Sequence, residues 1–204
     1  MALGIPMNSS KDPDYKGIEL KSKRKKSGTR HSLFAQVPDW KLSSLKSMRE
    51  FFDAYGYDRD GLRRLNCTVN ALTRNPQGLQ LAVEYGLDLL LENGVKNGEL
   101  IKNVLVWTLP SLRKRLAQKH KETFWVTGDS RIRNGREEFL FKRVEYTRSP
   151  RIYQFSDLLA TGLMIVDHEI KAAGTGAKER GPAFKANKAG HKILFPSSIR
   201  FDLA

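Results

Sequence analysis

The sequence predicts a mixed α/β domain built around a partly antiparallel sheet. Apolar runs of strand length dominate the chain, helical stretches intervene between them, and hairpin-type turn signals are frequent. A chain that alternates in this way packs helices against a sheet around one core. The 204 residues are enough for one domain of ordinary size, with two lobes around a cleft as a variant, and no internal repeat is visible.

The first half of the chain opens with a loop over residues 1–11 and continues mainly in strands. A helix is predicted over residues 42–55, because apolar residues recur at helical spacing until Gly56 ends the pattern. The turn signal at residues 75–78 predicts a hairpin between the strands on either side of it. The predicted strands of this half cover residues 16–24, 65–72, 79–83 and 87–91.

The second half contains two predicted helices. Pro110 opens the first, over residues 111–119, and Ser156 caps the second, which runs to residue 160 before Gly162. The remaining elements are a turn at 131–135, a flexible Gly/Ala-rich stretch at 172–178, an extended tail at 193–195, and strands over residues 103–108, 123–127, 138–146, 163–170 and 180–188.

The charge balance indicates the class of partner. Lysine and arginine number 36 against 22 aspartate and glutamate residues, which gives a formal net charge of +14 and a pI of about 10.0. An excess of this size favours a polyanionic partner, most simply nucleic acid. The basic residues are spread over several segments, so no single patch identifies the binding surface.

Cysteine usage and hydropathy indicate the cellular compartment and exclude some classes of site. Cys67 is the single cysteine, which excludes an intrachain disulfide and a cysteine metal cluster, and a buried inert thiol is expected there. No apolar run approaches the length of a membrane span, and residues 1–10 lack the basic and apolar regions of a signal peptide. These features predict a cytoplasmic protein with no membrane partner.

One short stretch near the start carries the candidate chemistry. Glu19 and Lys21 lie two residues apart in a predicted strand and therefore share one face, while Asp14 precedes a Gly-containing turn from which its carboxylate can reach Glu19. Two carboxylates that converge beside an ammonium form a hard-oxygen site for Mg²⁺. This arrangement predicts a metal-dependent phosphodiesterase.

The longer pattern around these residues reads Leu3-Gly4-Ile5-Pro6-x-Asn8-Ser9-Ser10-Lys11-x-Pro13-Asp14-Tyr15-x-Gly17-Ile18-Glu19-Leu20-Lys21. It resembles the start of the catalytic core in the MvaI/BcnI group of restriction endonucleases, which are PD-(D/E)XK nucleases closely similar to the mismatch-repair nickase MutH. The resemblance continues downstream at Phe124-Trp125-Val126, Val144-x-Tyr146-Thr147-Arg148-x-Pro150, Phe155-x-x-Leu158-Leu159-x-x-Gly162, Val166-Asp167-His168 and Arg180-Gly181-x-Ala183-Phe184-Lys185.

The resemblance implies a fold and a catalytic set. The fold is a restriction-endonuclease-like core, with a mixed, mostly antiparallel sheet flanked by helices and a DNA-binding cleft. Residues 1–204 are expected to form a single nuclease domain without the helical portion that the family places ahead of it. Asp14 and Glu19 would be the metal ligands, with Lys21 and Lys119 as catalytic lysines. Asp12 is the rival of Asp14, and Lys121 is the rival of Lys119.

The DNA-binding residues are also expectations from position and resemblance. Lys23, Arg24 and His31 lie on or after the catalytic strand and would face DNA. The C-terminal segment resembles the base-reading part of the family, with Arg180, Lys185 and His191 as the candidates there. The expected phosphate contacts are Lys188 and Lys192. Two further histidines, His120 and His168, are expected to be structural.

The function implied is a Mg²⁺-dependent type II restriction endonuclease that cuts double-stranded DNA. The alternatives are a MutH-like nicking repair enzyme and a DNA-binding remnant without catalysis, and a basic RNA-binding module ranks below them because its aromatic signatures are absent. A monomer is implied, with a DNA methyltransferase as the possible partner of a restriction system.

Overall fold

A computed structural model describes residues 12–24, 30–173, 176–179 and 181–203, and the strands of this part of the chain form three sheets. In chain order the strands are β1 (Glu19–Arg24), β2 (His31–Ala35), β3 (Tyr57–Arg59), β4 (Leu62–Val69), β5 (Gln80–Glu84), β6 (Leu89–Lys96), β7 (Glu99–Thr108), β8 (Glu122–Arg133), β9 (Arg136–Arg148), β10 (Met164–Ala173), β11 (Gly176–Glu179), β12 (Ala183–Ala186) and β13 (Ser198–Asp202). The helices are α1 (Met48–Tyr55), α2 (Leu109–Lys119), α3 (Phe155–Ala160) and α4 (Lys188–Leu194).

The first sheet has the order β1-β8-β9-β13. β1 runs parallel to β8, and the other neighbours in this sheet are antiparallel. The register places Glu19 beside Thr123 and Lys21 beside Trp125. Because side chains alternate along a strand, Glu19, Lys21 and Lys23 project from the same face of this sheet.

The other two sheets are antiparallel throughout. The second has the order β2-β12-β10-β4-β3, with β11 paired to β10, and the third is the meander β5-β6-β7. The predicted fold class, a mixed α/β domain with a mostly antiparallel sheet, is therefore confirmed.

Helix α2 places its last residue, Lys119, on the side of the helix that faces the core. Leu109, Leu112 and Leu116 are fully buried along one stripe of the helix, which packs against β2 and β7. Lys119 continues the same stripe three residues later, so it lies on the core-facing side, and it is only 8% exposed. The charge that ends this helix is thus directed inward.

Phenylalanine rings join the second sheet to the short helix α3. Phe184 of β12 stacks on Phe34 of β2 at 5.1 Å, and Phe155 of α3 lies within 6.1 Å of Phe184. The indole of Trp107 meets Phe184 edge-on and donates a hydrogen bond of 2.9 Å to the Gln36 carbonyl. Among the described helices, none combines the length and the apolar composition that a membrane crossing requires.

The predicted hairpin between residues 65–72 and 79–83 is wrong. The turn itself forms, because Asn75 accepts backbone hydrogen bonds from Gly78 and, through its side chain, from Leu79. The strands on either side of the turn do not pair with each other: β4 pairs with β10 and β3, whereas β5 pairs with β6. Alternating hydrophobicity specifies which face of a strand is buried but not which strand lies beside it.

Three other elements differ from the prediction. The first helix begins at Met48 rather than residue 42, because Ser47 caps it by accepting the Glu50 amide hydrogen at 3.1 Å. The strand predicted over 180–188 ends at Ala186, and the extended tail predicted at 193–195 is mostly helix. Asn187 caps α4 by accepting from the Gly190 amide at 2.8 Å, a local signal that the strand interpretation overlooked.

Candidate active site

A tight turn brings the first acid of the site back to β1. Tyr15 and Ile18 exchange two backbone hydrogen bonds of 3.0 and 2.8 Å across Lys16 and Gly17, whose φ angles are 49° and 84°. Positive φ at both central positions is the signature of a type I′ hairpin turn, and Gly17 adopts it without the cost that a Cβ imposes. Asp14 directly precedes this turn, and its carboxylate accepts the Leu20 amide hydrogen at 3.0 Å.

Glu19 is the most unusual residue of the site, because its carboxylate is fully buried. Its two oxygens each contact one ammonium: Oε1 lies 2.5 Å from Lys21 Nζ, and Oε2 lies 2.8 Å from Lys119 Nζ. These are close charge contacts rather than well-aligned hydrogen bonds. A buried carboxylate is tolerated only when its charge is compensated in this way.

Lys119 also holds the chain that leads into the turn. Its ammonium donates a hydrogen bond of 2.8 Å to the main-chain carbonyl of Asp12, in addition to its contact with Glu19. Its sequence rival Lys121 lies on the surface. The structure therefore brings Lys119 to the site. It also places the Asp14 carboxylate beside β1, while Asp12 contributes its backbone carbonyl.

The acids of the site fit a magnesium ion. In the described part of the chain, no group of three or more His, Cys, Asp and Glu side chains converges as a complete metal cage. Mg²⁺ does not need one, since it keeps several waters and is commonly held by one or two carboxylates together with substrate phosphates. Glu19 and Asp14 supply two such carboxylates: Asp14 contacts the Leu20 amide of β1, and the charge on Glu19 is offset by Lys21 and Lys119.

A cleft of about 790 Å³ opens beside Lys21, between β1 with its β8–β9 neighbours and the edge of the second sheet. Its basic lining residues are Lys21, Lys23, Arg24, Arg30 and Lys185. The acid in the lining is Asp167, which contacts Lys185 Nζ at 2.6 Å and accepts from the Thr68 hydroxyl at 2.6 Å. The cleft is therefore strongly cationic and has Lys21 in its wall.

A pair of stacked histidines supports Lys23 at the cleft. The Lys23 ammonium lies 3.2 Å from His31 Nε2, and the His31 ring stacks on His191 with 4.1 Å between centroids. Burial, together with the charges of His191 and Lys23, lowers the pKa of His31 to about 3. The ring is therefore neutral at ordinary pH and accepts the hydrogen bond that Lys23 donates.

Comparison with known proteins identifies the family. A model of the MvaI/BcnI restriction endonuclease family matches residues 1–195. The chain belongs to this family. This confirms the resemblance drawn from the sequence and, with it, the expected class of enzyme, a type II site-specific deoxyribonuclease.

Solved structures of the family show the same fold. The structure of restriction endonuclease MvaI in complex with its cognate DNA substrate has a TM-score of 0.80 and 18% identity, covering 98% of this chain and 83% of that one. MvaI in the absence of DNA gives a TM-score of 0.60 at 18% identity, covering 94% and 80%. The restriction-endonuclease-like fold is thus confirmed. No curated protein matches the chain.

In this MvaI/BcnI family member, the remaining predicted DNA-facing residues fall into three groups. Lys185 lines the cleft, as does Arg24, whose guanidinium makes a bidentate contact of 2.8 and 2.6 Å with Glu137. Lys188 and Lys192 are exposed on α4, and Lys188 is near enough to Lys23 to contribute, after burial, to lowering the pKa of that lysine. Arg180 lies outside the described residues.

His191 is placed differently from the expectation that it reads bases. Its side chain is 6% exposed and lies against His31 and, edge-on, against Trp125 at 4.6 Å. Burial and the charge of Lys23 lower its pKa to about 4. A ring enclosed in this way supports its neighbours and has little surface to offer a base. The difference from the expectation arises because His191 lies on the buried side of α4.

The other two histidines are structural, as expected. His120 lies 2.9 Å from the Thr123 hydroxyl and 3.0 Å from the Leu33 carbonyl, and its ring stacks on Trp125. His168 lies 3.0 Å from the buried Glu92 carboxylate. The lone thiol is inert: burial is the main factor that raises the pKa of Cys67 to about 12.

Sequence reasoning missed the aromatic residues of the cleft wall, namely Trp125, Phe139 and Phe141. Arg30, which also lines the cleft, belongs to the basic run of residues 23–31, for which the sequence favoured contact with phosphate. The aromatic residues carry no such signal, because an isolated aromatic in a strand is usually part of the core.

Proposed function

We propose that this chain is a Mg²⁺-dependent endonuclease that hydrolyses phosphodiester bonds of double-stranded DNA at a short site. The observation that carries the proposal is the buried Glu19 carboxylate, held between the ammoniums of Lys21 and Lys119 at the wall of a cationic cleft. Burying a charged carboxylate beside two lysines is costly for a structural purpose alone, whereas it suits a phosphoryl-transfer site.

Asp14 and Glu19 are the proposed ligands of the magnesium ion. The turn from Tyr15 to Ile18 returns the chain to β1, where the Asp14 carboxylate accepts the Leu20 amide hydrogen next to Glu19 in the sequence. When bound, the ion would polarise the scissile phosphate, lower the pKa of a bound water and offset charge on the leaving oxygen. The protein supplies the fixed arrangement of its oxygens.

The two lysines take different roles in this proposal. Lys21 is 27% exposed and lines the cleft, so its ammonium lies at the boundary between Glu19 and the space that DNA would fill. From there it can donate to the attacking water or to a phosphate oxygen. Lys119 is 10% exposed and bridges Glu19 to the Asp12 carbonyl, which makes it a positioning residue for the carboxylate and the turn.

Duplex DNA is the proposed substrate because of the charge and shape of the cleft. Lys21, Lys23, Arg30 and Lys185 line it on facing walls, and lysines and arginines arranged in this way neutralise phosphates and release counterions. The similarly folded MvaI is known in complex with its cognate DNA substrate. A single nuclease domain over residues 1–204, acting as a monomer on one strand at a time, is part of the same proposal.

The experiment that tests this function is incubation of supercoiled plasmid with the purified protein. We expect discrete cleavage products with Mg²⁺ and none with EDTA, and sequencing of the ends would reveal one short site. Because each chain carries one Glu19 site, a nicked circle should precede the linear product. Intact plasmid at all Mg²⁺ concentrations, from a protein that still binds DNA, would contradict the proposal and favour a non-catalytic remnant.

Asp14→Asn should lower the cleavage rate by about 10²-fold or more, because an amide oxygen replaces a charged metal ligand. The variant keeps an acceptor for the Leu20 amide, so the turn should be preserved. Asp12→Asn is the matched control, since the Asp12 backbone carbonyl that Lys119 contacts is unchanged. Rates are measured on plasmid at saturating Mg²⁺. A larger loss for Asp12→Asn than for Asp14→Asn would reverse the assignment.

A further inference from the structure

The hairpin of β8 and β9 extends well beyond the first sheet. Within the described residues, the pairing of β1 with β8 reaches Arg24 and Gly128, and that of β13 with β9 reaches Asp202 and Arg143, followed by one hydrogen bond from the Leu203 amide to the Lys142 carbonyl. Beyond these points, the paired strands of residues 129–141 continue as a ribbon, here called the arm. From Asp129 to Arg133 it reaches about 14 Å further. In the part of the chain that the structure describes, the arm is two-stranded, and a two-stranded ribbon is only marginally stable without a surface to pack against.

Two half-exposed phenylalanines lie at the base of the arm, on the cleft. Phe139 and Phe141 are 47% and 48% exposed, both line the cleft that contains Lys21, and their rings are nearly parallel with 6.4 Å between centroids. The strand pairing shifts at Thr127 and Gly128, and such irregularities re-aim side chains beside active sites.

The neighbours of the two rings hold them in place. A side chain at Gly128 would approach the Phe141 ring to 3.2 Å, so the glycine leaves room for that ring to lie across β8. The Arg24 guanidinium lies 5.6 Å from the centre of Phe139 while it pairs with Glu137. The rings are therefore oriented by their surroundings while half of their surface faces the cleft.

The tip of the arm carries like charges. Arg133 and Arg136 are directly opposite each other across the turn at Asn134 and Gly135, and both are exposed. Like charges in directly opposed positions destabilise a strand pair, and an anion that lies against both would relieve this repulsion. The tip is thus suited to contact phosphates.

We propose that the arm lies along a groove of bound duplex DNA and that Phe139 and Phe141 press on the bases as an apolar wedge beside the cleaved phosphate. The proposal rests on the DNA-cleaving function above and adds a role to it. Phenyl rings offer no hydrogen bond to phosphates or base edges, so their contribution to DNA binding is stacking or apolar contact, and wedges of this kind unstack base steps. The cationic lining around the rings makes DNA the complementary occupant.

The wedge is tested with a duplex that carries the site found by end sequencing, with 2-aminopurine placed at successive positions across it. In Ca²⁺ without Mg²⁺, wild-type protein should raise the 2-aminopurine fluorescence at one step, which reports unstacking. The double variant Phe139→Ala/Phe141→Ala should lose this increase and bind the duplex about tenfold more weakly. Phe139→Leu, which keeps an apolar side chain, should give a fluorescence increase and an affinity between those of wild type and the double variant.

Tyr153→Ala is the matched control, because Tyr153 is an aromatic residue that is 82% exposed and lies in the turn before α3. It should behave as wild type, and equal melting temperatures would show that the variants are folded. Two results would contradict the wedge proposal without affecting the proposed nuclease function. One is wild-type protein that cuts DNA but gives no fluorescence change, and the other is a double variant that gives the same fluorescence change as wild type.

If wild-type protein does not cut plasmid, the nuclease proposal fails, and the arm is then tested by the affinity for uncut plasmid. A weaker affinity for the double variant than for Tyr153→Ala would support the contact of the rings with DNA. Equal affinities would overturn it.

Discussion

Replacing Glu19 with glutamine should lower DNA cleavage on the order of 10³-fold while leaving DNA binding intact or stronger. The substitution keeps the size of the side chain but removes the charge that would hold the metal. Binding should not weaken, because a negative charge near the phosphate path is lost. Cleavage is measured on plasmid with Mg²⁺, and binding on the same DNA with Ca²⁺.

The same substitution has a cost in stability. The ammonium of Lys119, whose side chain is 10% exposed, would keep its contact with the Asp12 carbonyl but lose its ionic partner. We therefore expect the free energy of unfolding to fall by about 1–3 kcal/mol. Glu84→Gln, at an exposed position on β5, is the matched control and should change neither the cleavage rate nor the free energy of unfolding. A Glu19→Gln variant that cuts at the control rate would remove Glu19 from the site.

Lys21→Ala should lower cleavage by about 10²- to 10³-fold and should at the same time favour metal binding. The Lys21 ammonium lies 2.5 Å from Glu19 Oε1, so removing it frees that oxygen for a cation. A loss of turnover together with a gain in metal affinity is not expected from a purely structural lysine. Lys21→Arg should not restore activity, because the planar guanidinium presents its donors in a different geometry.

The control for Lys21 is Lys96→Ala, which removes an exposed lysine at the end of β6 and should leave cleavage unchanged. Cleavage at saturating Mg²⁺ and the Mg²⁺ concentration at half-maximal rate separate the two effects of Lys21. A Lys21→Ala variant with the control's rate would contradict the role of Lys21 in the chemistry.

The part of the site that could be predicted from sequence is the part that local geometry determines. Glu19 and Lys21 share a face because strand side chains alternate, and Gly17 permits the turn that returns Asp14 to them. Lys119 was expected through a family resemblance. Its contact with Glu19 depends on how α2 packs, which no local pattern specifies.

The features that were missed depend on tertiary context. His191 was expected to face DNA because the C-terminal segment resembles the base-reading part of the family, but the Asn187 cap starts a helix that buries it on His31. The turn at 131–135 and the strand at 138–146 were predicted, but the extension of β8 over residues 128–133 was not, because a ribbon exposed on both faces has no hydrophobic alternation to reveal it. Strand pairing across the three sheets was likewise hidden, since it is set by distant partners.

The most direct test of the central claim is metal binding measured by electron paramagnetic resonance of Mn²⁺, with the protein bound to a non-hydrolysable duplex. The account predicts that wild-type protein depletes the free Mn²⁺ signal, that Glu19→Gln and Asp14→Asn lose most of this effect, and that Lys21→Ala retains or strengthens it. Wild-type Mn²⁺ binding by folded Glu19→Gln and Asp14→Asn variants would contradict the claim that the buried carboxylate and its turn partner form the metal site.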